Sequence, residues 1–124
     1  RRFVFSRREA GELVIREGEV GDRVYVLARG KAEVFATLGN AERRLGVLFD
    51  GDFFGEVALL SGTRRTASVR TLEPCSFLTL ARRDFEEVLR ANPEIERHVV
   101  RVGRQRLESE EATIIAPVRR SQSN

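Results

Sequence analysis

At 124 residues, 41% of them hydrophobic, the chain has the size of one globular domain with a core of its own. No apolar run reaches membrane-spanning length and no signal-peptide pattern is present; one cysteine, Cys75, excludes an internal disulfide, and one histidine, His98, excludes a multi-histidine metal centre. The net charge of +3 invites a nucleic-acid reading, but arginines alternate with acids along the whole chain, including the stretch after Glu94, so no nucleic-acid partner is expected.

Residues 3–35 read as several short strands. "ELVIRE" and "RVYVLA" are rich in β-branched and aromatic residues, with "EGEVGD" and "ARGK" supplying turns between them. "LGN" at 38–40 punctuates a hairpin, "RRLGVLF" resumes a strand, and "DGD" at 50–52 turns the chain again. "TASVRT" and "SFLTL" are two further strands, and Cys75 between them reads as a small buried hydrophobe. Strands at this spacing predict a mainly antiparallel β-roll or jelly-roll barrel over about 3–81.

The period then changes. In "RRDFEEVLRA" the apolar residues Phe85, Val88 and Leu89 have helical spacing with Asp84 as the expected cap, giving a helix over about 82–91. "NP" at 92–93 ends it and starts a second helix over about 94–112, with Ile95, Val99 and Val102 on one face and His98 on its surface. Arg106 continues that apolar face one turn later. The expected domain is 1–112, followed by a flexible tail over 113–124 that contains Pro117. The absence of methionine leads us to expect a piece of a longer protein.

The chemistry concentrates in "FGEVALLSGTRRTASVR", residues 54–70. A glycine leading into a helical turn offers free backbone N–H groups, and an arginine closing from the other side can bind the same anion. Glu56 and Arg65 are nine positions apart and are no helical ion pair. A surface turn with a first-turn acid and an exposed arginine is the plainer alternative.

This stretch resembles the phosphate-binding cassette of the cyclic-nucleotide-binding domain family, closest to its cyclic-nucleotide-regulated ion channel branch. The cassette runs F-G-E-hydrophobic-A-L-hydrophobic, a short gap, then R-[ST/A]-A-[ST]-V. This chain carries Phe54-Gly55-Glu56-Val57-Ala58-Leu59-Leu60 and Arg65-Thr66-Ala67-Ser68-Val69. The glycine-punctuated early strands are similar too, and the likeness extends over about 3–110. Arg64 stands where many kinase-type and bacterial members carry proline; "RRTASV" and "FEEVL" followed by "NP" look like the channel branch.

The resemblance implies a fold of antiparallel roll plus two C-terminal helices and a regulatory ligand, cAMP or cGMP, with no further cofactor and no metal. It assigns the ligand's phosphate to Arg65, Thr66, Ala58 and Gly55, and the ribose 2′-hydroxyl to Glu56. Arg106 would lie over the purine with Leu107 as apolar cover; a surface arginine paired with Glu110 is the alternative. Thr66 would also touch guanine. Catalysis is not expected, since no triad motif accompanies His98. The implied parent is a cation channel gated through the C-terminal helices, with this domain on the cytoplasmic side and a homo-oligomer as one arrangement. A catabolite-activator-type transcription factor and a cyclic-nucleotide-dependent kinase are the other parents the family offers.

Overall fold

The computed structural model describes residues 3–56, 62 and 64–115, with backbone alone for Gly103 and for 107–115. Eight strands appear among these residues: β1 (Val4–Arg8), β2 (Leu13–Ile15), β3 (Arg23–Arg29), β4 (Ala32–Leu38), β5 (Ala41–Leu48), β6 (Phe53–Phe54), β7 (Ser68–Thr71) and β8 (Cys75–Ala81). Two long helices follow, α1 (Arg82–Ala91) and α2 (Pro93–Ile115).

The strands form two four-stranded sheets, ordered β1-β8-β3-β6 and β2-β7-β4-β5. Four of the pairings are nested, β4 with β5, β3 with β6, β2 with β7 and β1 with β8, while β3 with β8 and β4 with β7 join them into the two sheets, all antiparallel. This is the expected roll, built as two sheets, with the 38–40 turn at its centre. Gly39 there has φ +63°, a conformation that favours glycine.

Leu27, Phe77, Ile15, Val69, Ala32 and Phe54 fill the space between the sheets. Alternation along β8 explains the arrangement: Cys75, Phe77 and Thr79 point inward while Leu78 and Leu80 face the other side. On that outer side Leu80 and Val24 meet Phe85 and Leu89 of α1 and Val99 of α2, a second apolar cluster that fastens both helices to the roll. Cys75 is buried, with Sγ facing the carbonyls of Lys31 and Glu73, in keeping with a packing role.

The helices differ from expectation in three places. α1 begins at Arg82, with Ala81 at the N-cap and no side-chain cap bond, so Asp84 sits in the first turn instead, where its charge still suits the helix dipole. Asn92 closes α1 by donating from Nδ2 to the carbonyl of Val88, and Pro93 opens α2, where its missing N–H costs nothing. α2 runs to Ile115, past the predicted end at 112; residues 116–124 of the expected tail lie outside the described residues. Of its predicted apolar stripe Val99 is buried against the roll, but Ile95 is 46% exposed and takes no part in the cluster that fastens the helices. Among the described residues no helix is long and apolar enough to cross a membrane.

Candidate functional site

The short strand β6 delivers Phe53 and Phe54 against Val26 and Tyr25 of β3, and the chain then turns at Gly55. Gly55 has φ +92°, and a Cβ there would sit 2.8 Å from Nη1 of Arg65 and 3.1 Å from the carbonyl of Arg23. Glycine is therefore required twice, by backbone conformation and by the approach of Arg65. Glu56 follows in helical conformation, and residues 57–61, including Ala58, lie outside the described residues.

Arg65 arrives from the segment before β7, which is pinned to the 18–20 loop. Gly18 donates to the carbonyl of Arg65, the Arg65 amide donates to Glu19, and Val20 bridges to Arg64. The Arg65 side chain is 8% exposed and donates from Nη1 to the carbonyl of Gly55 at 2.8 Å and from Nη2 to that of Arg23 at 2.9 Å. These two bonds occupy two of the five N–H groups of its guanidinium. Burial pulls its pKa below the ordinary arginine value, with Tyr25, Asp22 and Glu56 acting against that pull. Arg64 beside it is exposed and donates to the carbonyl of Gly18.

Glu56 is 1% exposed. Desolvation pushes its carboxyl above the usual carboxylate range, while Arg106 and, more weakly, Arg65 draw it back. Arg106 reaches down from α2 and places Nη1 at 3.2 and 3.1 Å from the two carboxylate oxygens. The same Nη1 donates to the carbonyl of Phe53, and the guanidinium lies 4.9 Å from the centre of the Phe53 ring. His98, one helical face along, meets that ring edge-on. Arg106 thus spans from helix to roll; the side chain of Glu110, its alternative partner, lies outside the described residues.

Glu56, Arg65 and Arg106 face one cavity of about 60 Å³, which Thr66 and Ala67 also line. Ile15, Val34 and Leu48 give it an apolar floor. Of the residues singled out from the sequence, Gly55, Glu56, Arg65, Thr66 and Arg106 come together here. Leu107 is part of α2, but its side chain lies outside the described residues. Sequence reasoning missed Phe53, which supplies a carbonyl and a ring to Arg106, and the carbonyl of Arg23. The aromatic doublet Phe53-Phe54 was a usable signal for the first; a main-chain acceptor has none. Among the described residues no group of three or more His, Cys, Asp or Glu could hold a metal ion. A buried acceptor, a buried cation and a positive φ at the intervening glycine make this a site suited to a small polyhydroxylated anion.

The family model of the cyclic nucleotide-binding domain matches residues 6–92. The human potassium/sodium hyperpolarization-activated cyclic nucleotide-gated channel 4 is 39% identical over 104 residues, covering 84% of this chain and 8% of the channel. Channel 2 of the same name from Mus musculus is also 39% identical, over 84% of this chain and 12% of its own length. The chain therefore corresponds to a small part of these relatives. Among solved structures, the catabolite activator protein of Thermus thermophilus superposes with a TM-score of 0.79 at 30% identity, over 88% of this chain and 52% of that one. The regulatory domain of Toxoplasma gondii PKA with cAMP gives 0.68 at 31%, over 69% of this chain and 33% of that one. With the nested roll, the glycine-turned acid and the buried arginine all matched by a family model over most of its length, the chain belongs to the cyclic nucleotide-binding domain family.

Proposed function

We propose that this domain is a ligand sensor without catalysis of its own, binding one cAMP or cGMP and passing the event to a larger protein through α2. The observation that carries this reading is the contact of Arg106 with the buried Glu56: it ties the mobile candidate, a helix, to the group that would read the ligand. The phosphodiester would take the remaining N–H donors of Arg65, backbone amides after Gly55 including that of Ala58, and the Thr66 hydroxyl. Glu56 would accept from the ribose 2′-hydroxyl, a bond that a buried carboxylate makes strongly. The cavity is smaller than the roughly 300 Å³ of pockets that enclose a whole ligand, so the purine would extend toward α2, beneath Arg106 and Leu107.

The 39% identity to gated channels supports a cation channel as the parent, with the domain on the cytoplasmic side and gating driven by movement of α2. The superposition on a catabolite activator protein supports a second reading, the sensor of a transcription factor; the Toxoplasma likeness supports a kinase regulatory role in the same way. Calorimetric titration with cAMP, cGMP and 5′-AMP tests the shared core of these readings. A 1:1 complex with a cyclic nucleotide and much weaker binding of 5′-AMP, whose extra charge and open phosphate fit poorly, is expected. Equal affinity for 5′-AMP and cAMP refutes it.

A further inference from the structure

Glu56 presents a problem that ligand recognition alone does not solve. A carboxylate at 1% exposure is held away from water, and burial favours its protonated form. Protonated, it loses half its accepting capacity and gains a donor that would oppose a ligand hydroxyl. Something inside the site has to keep it charged.

The groups facing it are few. Arg65 lies in the same cavity, but its two terminal nitrogens are turned to the carbonyls of Gly55 and Arg23 rather than to the carboxylate. The walls contributed by β2, β4 and β5 are apolar, and Thr66 and Ala67 carry no charge. His98 on α2 contacts the Phe53 ring and Arg101, not Glu56. Arg106 alone among the described side chains forms an ion pair with the carboxylate, touching both oxygens with one nitrogen. That nitrogen is fixed in turn by the Phe53 carbonyl, and the guanidinium plane is backed by the Phe53 ring. These contacts link the carboxylate to the position of α2, because the arginine that makes them projects from that helix.

We infer that Arg106 is a positioning residue for Glu56, keeping the ribose acceptor ionised, so that helix position and hydroxyl recognition are one coupled device. This rests on the functional reading above and deepens it. A lid that merely covers the purine would add the same affinity at every pH. A lid that sets the charge of the acceptor makes affinity depend on pH once it is removed. It also makes coupling reciprocal: whatever draws α2 away lets Glu56 take up a proton, and protonation of Glu56 loosens α2.

The test compares the wild type with Arg106→Gln, Arg106→Lys and Glu56→Gln. Gln keeps a donor without charge, Lys keeps the charge, and circular dichroism verifies that each variant retains its fold. The first measurement needs no ligand: a carbon-13 carboxyl titration of Glu56 should move to higher pH in Arg106→Gln and stay near the wild-type curve in Arg106→Lys. The second is cAMP affinity from about pH 8 down to about pH 5. Arg106→Gln should lose roughly 10-fold over that range and converge on Glu56→Gln, while the wild type changes less than about 3-fold. An unmoved Glu56 titration in Arg106→Gln overturns the inference, and so does a loss of cAMP affinity that is the same at every pH. If the wild type binds no cyclic nucleotide, the functional reading fails, and the carboxyl titration still decides the role of Arg106.

Discussion

Replacing Glu56 by glutamine separates what the site does for binding from what it does for stability. The substitution keeps the shape and removes a charge that is 1% exposed. Removing one partner of a buried ion pair ordinarily costs about 3–5 kcal/mol, because the other charge is stranded in the interior. Here the partner left behind is Arg106, 28% exposed and still bonded to the Phe53 carbonyl, so that penalty does not apply. What remains is relief of a desolvated carboxylate against loss of one charge-assisted bond, and the net should fall within about 1 kcal/mol of zero at neutral pH. The pH dependence gives the sign. Because the folded-state pKa of Glu56 is raised, its folded form holds the proton more tightly than the unfolded chain does. Its favourable contribution is therefore complete below the ordinary value of 4.5 and is lost as pH rises through the raised one. Urea denaturation of both proteins at acidic and neutral pH should show Glu56→Gln gaining on the wild type as pH rises across that window. Calorimetry should show cAMP affinity falling by about 1.5–3 kcal/mol, roughly 10- to 150-fold. A variant that loses stability relative to the wild type on going from acid to neutral pH refutes the reasoning, since the ion pair would then outweigh its desolvation.

Arg65→Ala should weaken cyclic-nucleotide binding by about 2–4 kcal/mol, or roughly 30- to 1000-fold, whereas the exposed Arg64→Ala should change it only a few-fold; the reverse ranking in a fluorescence binding assay breaks the assignment. Gly55→Ala forces φ +92° on a residue with a Cβ and drives that atom against Arg65, so thermal or urea unfolding should show a loss of about 1–3 kcal/mol. Thr66→Ala should lower affinity for cGMP more than for cAMP, because guanine carries an amine at C2, the edge a syn purine turns toward that hydroxyl, whereas adenine carries its amine at C6; equal losses in parallel titrations mean the hydroxyl serves the phosphate alone.

Much of the roll can be read from composition, because strands such as Arg23–Arg29 are β-branched and aromatic and sit between glycine turns. β6 is different. It is two residues long and exists because Tyr25 and Val26 of β3 offer it partners, a tertiary circumstance with no local signal. α1 starts where its period predicts, but its cap differs for a related reason: Ala81 ends the pairing of β8 with Arg23, and the helix begins where that ladder stops, which leaves Asp84 in the first turn rather than at the N-cap. In the site, Gly55, Glu56 and Arg65 stand out because their spacing is that of a long cassette, and Arg106 because a cation interrupts an apolar stripe. The acceptors that orient Arg65 and Arg106 are carbonyls of Gly55, Arg23 and Phe53, and every residue has one. Their selection depends on where the chain passes, which only the folded backbone settles.

The nested pairing of the strands bears on how the domain is made. Leu38 pairs with Ala41 across a two-residue turn, while Val4 pairs with Thr79 almost a full roll away in sequence. Closing that outermost pair from an open chain would confine nearly all the intervening residues at once. Closing it after the inner pairs are formed confines only the short segments that remain, so the entropic cost is divided into small steps. A zipper of this kind has one efficient starting point, the hairpin around Gly39, and it runs outward in both directions along the chain. During synthesis β1 must wait for β8, and Arg106 emerges later still. The ribosome therefore finishes the walls that the roll gives the cavity before it supplies the side chain that bridges helix and roll.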